Sequence, residues 1–332
     1  MTTVIEDHMN IDLRKKTADL RGVADIRLVT LEDGPGRGQR ILIARNATGL
    51  SFEVAVDRGF DISSLSMNAI NIGWCSPTQM PFPTVDPDSE NGWGFLRNFD
   101  GFMVTCGLDH ISRPREVDIK HYNHPHLKTV TSPLHGRIAT ARARLLSYGL
   151  DEPAGTIVCE GIVRQASVFG EVLELRRRIT LRLWEPVLMI DDVVTNRSFR
   201  TANHAILYHL NFGYPFLDES LEIAGLPEPL HSSFKADPPR PKDDYGERVN
   251  VVDSREIPEA SPIVLTNPDL SLSVGLSFSR EHLTKLAVWR AYQSGLFALG
   301  IEPRTDAAEN AVTLEPGGSC VHSLRLDLRD PK

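Results

Sequence analysis

The chain has 332 residues, 41% of them hydrophobic and 24% charged, with a formal net charge of −8 at pH 7. This is the composition of an ordinary globular protein long enough to bury a large core, and its acidic balance leaves no basic face for nucleic acid or an anionic membrane. Cys75, Cys106, Cys159 and Cys320 are too far apart in sequence for a disulfide framework or a CxxC pair, and read as reduced, buried small residues.

The first residues, "MTTVIEDHMNIDLRKK", mix acids with bases and hold no apolar signal core. No segment reaches the roughly 20 apolar residues of a membrane helix, so the expected location is cytoplasmic. Asp12 to Gly22 is the best helix candidate in a chain otherwise ruled by a period of two. "IRLVTLEDGPGRGQRILIARN" reads as two strands around a Gly/Pro turn, and its glycines do not fit the GxGxxG of a phosphate loop. "FEVAVDRGFDI" continues the strands, followed by the Pro-rich stretch Ser76 to Asn91 and the strand "GFMVTCGL".

"HYNHPHLK" then offers His121, His124 and His126. No carboxylate follows to complete a metal site and Pro125 would break a central strand, so a polar loop is the expectation. In "SPLHGRI", His135 sits beside Gly136, which permits close backbone approach, and the cation Arg137. "TIVCEGIVRQ", "VLELRRRITLRLW", "PVLMIDDVVTN" and "AILYHLNFG" are further strands. Alternation in the last of these turns Ile206, Tyr208, Leu210 and Phe212 to a core and Leu207, His209 and Asn211 the other way. A second Pro-rich stretch, Pro227 to Asp244, precedes "SLSVGLSFS", another alternating strand.

The run "LFALGIEPRTD" ends on a carboxylate, which is costly beside a core unless solvated, paired or used. Alternation sets Phe297, Leu299 and Ile301 against the core. Ala298, Gly300 and Glu302 then face a cleft with room for a ligand, and Pro303 ends the strand. Arg304 and Arg290 are the pairing alternatives for Glu302. Many strands without βα alternation predict an all-β sandwich or barrel. The pattern resumes after each Pro-rich stretch, which makes both stretches rim loops of one domain over residues 1–332.

"DRGFDI", "TCGL", "LHGR", "YHLNFG" and "GIEPRT", in this order between Asp57 and Thr305, resemble the aldose 1-epimerase (galactose mutarotase-like) superfamily, in a less-characterised bacterial branch. The resemblance implies a β-supersandwich of two large antiparallel layers with a sugar bound in a cleft on one face. It also implies that Glu302 is the catalytic carboxylate, His209 the general acid and His135 a sugar-binding histidine. Two departures, "LHGR" for the usual "LHGG" and the residues around His209, leave the sugar unnamed. On this reading Trp289 offers a platform for a sugar face, Asn211 orients a hydroxyl, and Arg58, Arg97 and Arg290 contact hydroxyl or acidic groups, while Asp57 and Asp61 pin a turn. The expected reaction needs neither cofactor nor metal and a small-molecule sugar is the expected partner; monomer and homodimer both stay open. The competing readings are another sugar isomerase or lyase, metal-dependent through the His121 to His126 cluster, and a non-catalytic carbohydrate-binding protein.

Overall fold

Alternation builds two large antiparallel sheets in the computed structural model, which describes residues 15–257, 262–306 and 312–329. The first sheet has 11 strands, with Asp25–Thr30, Arg40–Arg45, Leu50–Ala55, Asp61–Met67, Met103–Leu108, Ala202–Phe212, Ala298–Arg304, Lys285–Ala291 and Arg248–Asp253 in that spatial order. The second has 8, ordered Glu222–Ala224, Ile263–Asn267, Leu272–Phe278, Ser319–Arg329, Val187–Asn196, Val172–Arg182, Thr156–Ala166 and Ala143–Asp151. Their facing sides share one apolar cluster: Phe52, Ile62, Tyr208, Leu210 and Ile301 meet Leu175, Ile179, Ile190, Leu276 and Leu326. Burying each such side chain contributes about 1.5–3 kcal/mol, enough in sum to fix which residues face inward. The all-β expectation holds, and the hairpin around the Gly/Pro turn pairs Asp25 with Arg45 through Thr30 with Arg40.

One ionic link crosses this dry layer. Arg177, fully buried on the second sheet, grips Asp192 through Nε and Nη2 at 2.9 and 2.7 Å and reaches Asp61 of the first sheet at 2.7 Å. Arg177 also donates to Thr105 Oγ1, and the Tyr208 hydroxyl donates to Asp192 at 2.7 Å. Asp61 thus does more than pin its turn, since it also accepts from the Thr105 amide at 2.9 Å. Arg177→Met should lower unfolding stability by about 3–5 kcal/mol, because it strands two buried carboxylates. Denaturant titration checks this, and a loss under about 1 kcal/mol would mean water reaches the layer.

The sequence expectations need correcting in four places. The Asp12 to Gly22 helix lies partly outside the described residues, and its described part ends in a 3-10 turn over Leu20–Gly22. Pro227 to Asp244 is not all loop: Glu228–Ala236 is helical, burying Leu230 and Phe234 one turn apart. Pro303 does not end its strand, which runs on to Arg304. Cys75 is exposed rather than buried. Among the described residues, no helix is long and apolar enough to cross a membrane.

Candidate functional site

The outer face of the first sheet carries a second, smaller apolar cluster, and the polar residues singled out by alternation lie beneath it. Ala202–Phe212 pairs with Met103–Leu108 on one side, setting His209 against Val104. On its other side the ladder joins Leu207 to Arg304 and Leu210 to Ile301, with no pair between them. Pro303 explains the gap, because it has no N–H to give a central strand. His209 and Glu302 meet across that gap, Nε2 to Oε1 at 3.2 Å, each only 3% exposed.

His209 Nδ1, Glu302 Oε1 and Asn211 Oδ1 are buried here without a well-formed hydrogen bond, the 3.2 Å approach of His209 Nε2 to Glu302 Oε1 included, although the neighbouring Asn211 side chain pulls against the lowering of the His209 pKa. Interiors seldom leave such atoms idle unless a ligand or water uses them. The Asn211 amide is anchored at its other end, donating to the Gly101 carbonyl at 2.9 Å. Gly300 makes room for the pair: a Cβ there would stand 2.8 Å from Glu302 Oε1 and 3.0 Å from His209 Cε1. Gly300→Ala should therefore leave folding intact within about 1–3 kcal/mol yet displace both side chains. A drop in turnover with unchanged circular dichroism is the expected result, and full activity would show that the pair tolerates displacement.

Burial sets the charges. It pushes the Glu302 carboxyl up to about 8, against the opposing pull of Arg304, and holds the His209 imidazole down at about 3. At neutral pH this favours an uncharged pair, a carboxylic acid beside an imidazole.

His135 approaches from a separate loop. Its backbone is left-handed, with φ of 58°, and a Cβ on the following Gly136 would lie 2.2 Å from the Gly107 carbonyl, so the close approach read from the sequence is real. The Ser112 amide donates to His135 Nδ1 at 3.3 Å, which leaves the ring proton on Nε2. The ring lies 6.0 Å from that of His209, and burial, reinforced by His209 and Arg304, holds its pKa well below the ordinary histidine value. Arg137 turns away to Asp88 at 2.5 Å.

The cleft expected beside Glu302 is roofed over. Phe99 and Trp289 pack edge-on to the His209 ring, with centroids 4.8 and 5.2 Å away, and Trp74 and Phe95 extend the cover. Arg58 holds this roof in place, donating to the Pro81 carbonyl at 2.6 Å and to the Asn98 carbonyl, so its guanidinium is spent on the chain rather than on a ligand. Two other expected contacts also fail. Arg290 follows Trp289 directly and must point through the opposite face, where it donates to the Ser233 carbonyl at 2.8 Å and to Asn250. Arg97 is at the surface, paired with Glu90 at 2.5 Å.

Trp289 and Asn211 do lie on the site face, and Trp289 is fixed by donating to Glu247 at 2.9 Å. His121, His124 and His126 form no metal-ligating group among the described residues; instead His124 Nδ1 accepts from the amides of His126 and Leu127 at 3.1 and 2.9 Å. One site residue was named from the sequence only as a pairing alternative for Glu302. Arg304 stands two positions beyond Glu302 on the same face, and its charge lowers the pKa of both Glu302 and His135. Alternation also puts it on the site face.

A family model described as a domain of unknown function, DUF4432, matches residues 36–325. None of the curated proteins matches the chain in sequence. A protein of Klebsiella pneumoniae subsp. pneumoniae with the provisional name aldose 1-epimerase superposes with a TM-score of 0.79 at 23% identity, covering 91% of this chain and 83% of its own. A galactose mutarotase-like protein of Clostridium acetobutylicum gives 0.64 at 12% identity, over 93% and 99% of the two chains. Galactose 1-epimerase of Lactobacillus acidophilus gives 0.55 at 11%, over 93% and 100%. At such identities the likeness establishes the fold, a galactose mutarotase-like sandwich.

Proposed function

The chain belongs to the DUF4432 family, and from that premise we propose that it is a carbohydrate isomerase that interconverts the anomers of a free sugar. The observation that carries the reading is the buried His209–Glu302 pair, 3.2 Å apart and holding unpartnered polar atoms on the sheet face opposite the core. Mutarotation needs one base and one acid in reach of one sugar, with no external proton.

Transfer of the Glu302 carboxyl proton to His209 creates the working form, a carboxylate beside an imidazolium. Glu302 takes the anomeric O1–H proton as the C1–O1 double bond forms and the C1–O5 bond breaks. His209 gives its proton to O5, leaving an open-chain carbonyl and a hydroxyl. After rotation about C1–C2, His209 takes the O5 proton back, O5 closes on the other face of C1, and Glu302 returns its proton to O1. Atoms and charges balance over the cycle without a cofactor. His135 Nε2–H donates to a ring oxygen or hydroxyl, Asn211 Oδ1 accepts from a hydroxyl, and Trp289 offers its ring to an apolar sugar face. Admitting the sugar requires Phe99 and its neighbours to swing aside, and their return excludes water from the pair. The reading takes the whole chain as one cytoplasmic domain.

Exchange NMR of anomer interconversion over a panel of aldoses, ketoses and sugar acids tests this. Acceleration for one of them, lost in Glu302→Gln and His209→Asn, is the expected result. Line broadening that reports binding without acceleration of any sugar would sink the isomerase reading and leave a carbohydrate binder.

A further inference from the structure

Between the two sheets, remote in role from the His209–Glu302 pair, three metal-capable side chains meet: His204, Cys320 and His322, all buried. Cys320 and His322 are two apart on the Ser319–Arg329 strand and so share its inward face, while His204 comes from the opposite sheet at the start of Ala202–Phe212. His204 Nε2 lies 2.9 Å from His322 Nε2, and Cys320 Sγ 3.4 Å from that same nitrogen. All three ligand atoms fall within 4.8 Å of one another.

Hydrogen bonding alone satisfies this cluster poorly. His204 Nδ1 is 3.0 Å from the Leu108 carbonyl, which can only accept, so the proton sits on Nδ1 and Nε2 presents a lone pair. His322 must then carry its proton on Nε2 to bond His204, which leaves no lone pair there for the Cys320 thiol. A carbonyl holding the far nitrogen of an imidazole is also the usual outer support of a metal-bound histidine. The half-buried His282 ring lies 6.0 Å from that of His322, on the side of the cluster nearer solvent.

We propose that His204, His322 and Cys320 form a structural site for a d10 transition-metal ion, Zn2+ or Cu+. Imidazole and thiolate donors without a carboxylate select these ions over Mg2+ or Ca2+. Metal–nitrogen bonds of about 2.0–2.1 Å and metal–sulfur bonds of about 2.3 Å place tetrahedral ligand atoms roughly 3.3–3.7 Å apart, so the 2.9 and 3.4 Å spacings require small shifts and the His204–Cys320 spacing, within 4.8 Å, closes toward the same range. Binding releases the Cys320 thiol proton to solvent and ties the second sheet to the strand that carries His209.

The test uses full-length protein stripped with chelator, then titrated with Co2+ as a spectroscopic substitute for Zn2+ and, separately, with Cu+ against a chromophoric competitor. The expected result is uptake of one equivalent per chain, with a near-ultraviolet thiolate-to-cobalt charge-transfer band for Co2+ and a raised melting temperature on adding Zn2+ or Cu+. Uptake of one ion and not the other supports the site and names its metal. Binding should vanish in Cys320→Ser and His204→Gln and persist when His121, His124 and His126 are all replaced by Gln. Absence of both the charge-transfer band and one-equivalent Cu+ uptake in the unaltered protein overturns the proposal, as does uptake that survives Cys320→Ser.

Discussion

Glu302→Gln should abolish anomer interconversion while making the protein more stable at neutral pH. The activity loss is expected at about 10²–10⁴-fold, the usual contribution of a positioned acid-base group. The stability gain follows from burial, which raises the carboxyl from its ordinary 4.5 to about 8. Below pH 4.5 the group is protonated in both folded and unfolded chains and costs nothing. Above that, the unfolded chain gives up the proton and the folded chain retains it, so stability falls with rising pH by about 1.4 kcal/mol per unit until about pH 8. By pH 7 this amounts to about 3 kcal/mol. Glutamine keeps the shape and removes the titration, so melting at pH 7 should rise by several degrees and lose its decline between about pH 6.5, below which His209 titrates in the unfolded chain, and about pH 8. Opposite signs in activity and stability mark a residue kept for function at a cost to the fold. A variant that loses both would point instead to a structural ion pair.

The two faces of the site strands were legible in the sequence, because a period of two admits only two assignments and the bulky residues decide between them. That is why His209, Asn211 and Glu302 share the outer face as expected. The same rule, applied one residue further, separates Trp289 from Arg290 and adds Arg304 to the site. What the pattern does not carry is contact between distant loops. The roof of Trp74, Phe95 and Phe99 comes from the Pro-rich region and its border, whose shape is set by the Arg58 contacts to backbone carbonyls rather than by any periodicity. A closed site in place of an open cleft was therefore invisible, since the Phe99 and Trp289 contacts to His209 join positions more than 75 residues apart. Pro303 shows a third case. Read locally it stops a strand, yet here the strand runs on to Arg304 on its ladder to Lys285–Ala291, and the missing N–H opens only the side facing Ala202–Phe212.

His209→Asn should lose about as much activity as Glu302→Gln, roughly 10²–10⁴-fold, and the double variant should lose little more. The reason is the shared proton. If one proton moves between two groups 3.2 Å apart, removing either group removes the unit, and the second substitution has nothing left to take. Independent roles would instead multiply the two losses. The pH profile separates the same alternatives in the unaltered protein. The pair works with one proton aboard, which the carboxyl holds up to about pH 8, while His209 accepts a second only near pH 3. So kcat/KM should stay level through neutrality and fall tenfold per unit above about pH 8, as the singly protonated fraction declines. An exposed histidine acting alone would place that fall near 6.5. A break at that lower value would show that water reaches the pair under the aromatic roof, and the case for a dry, neutral acid-base unit would go with it.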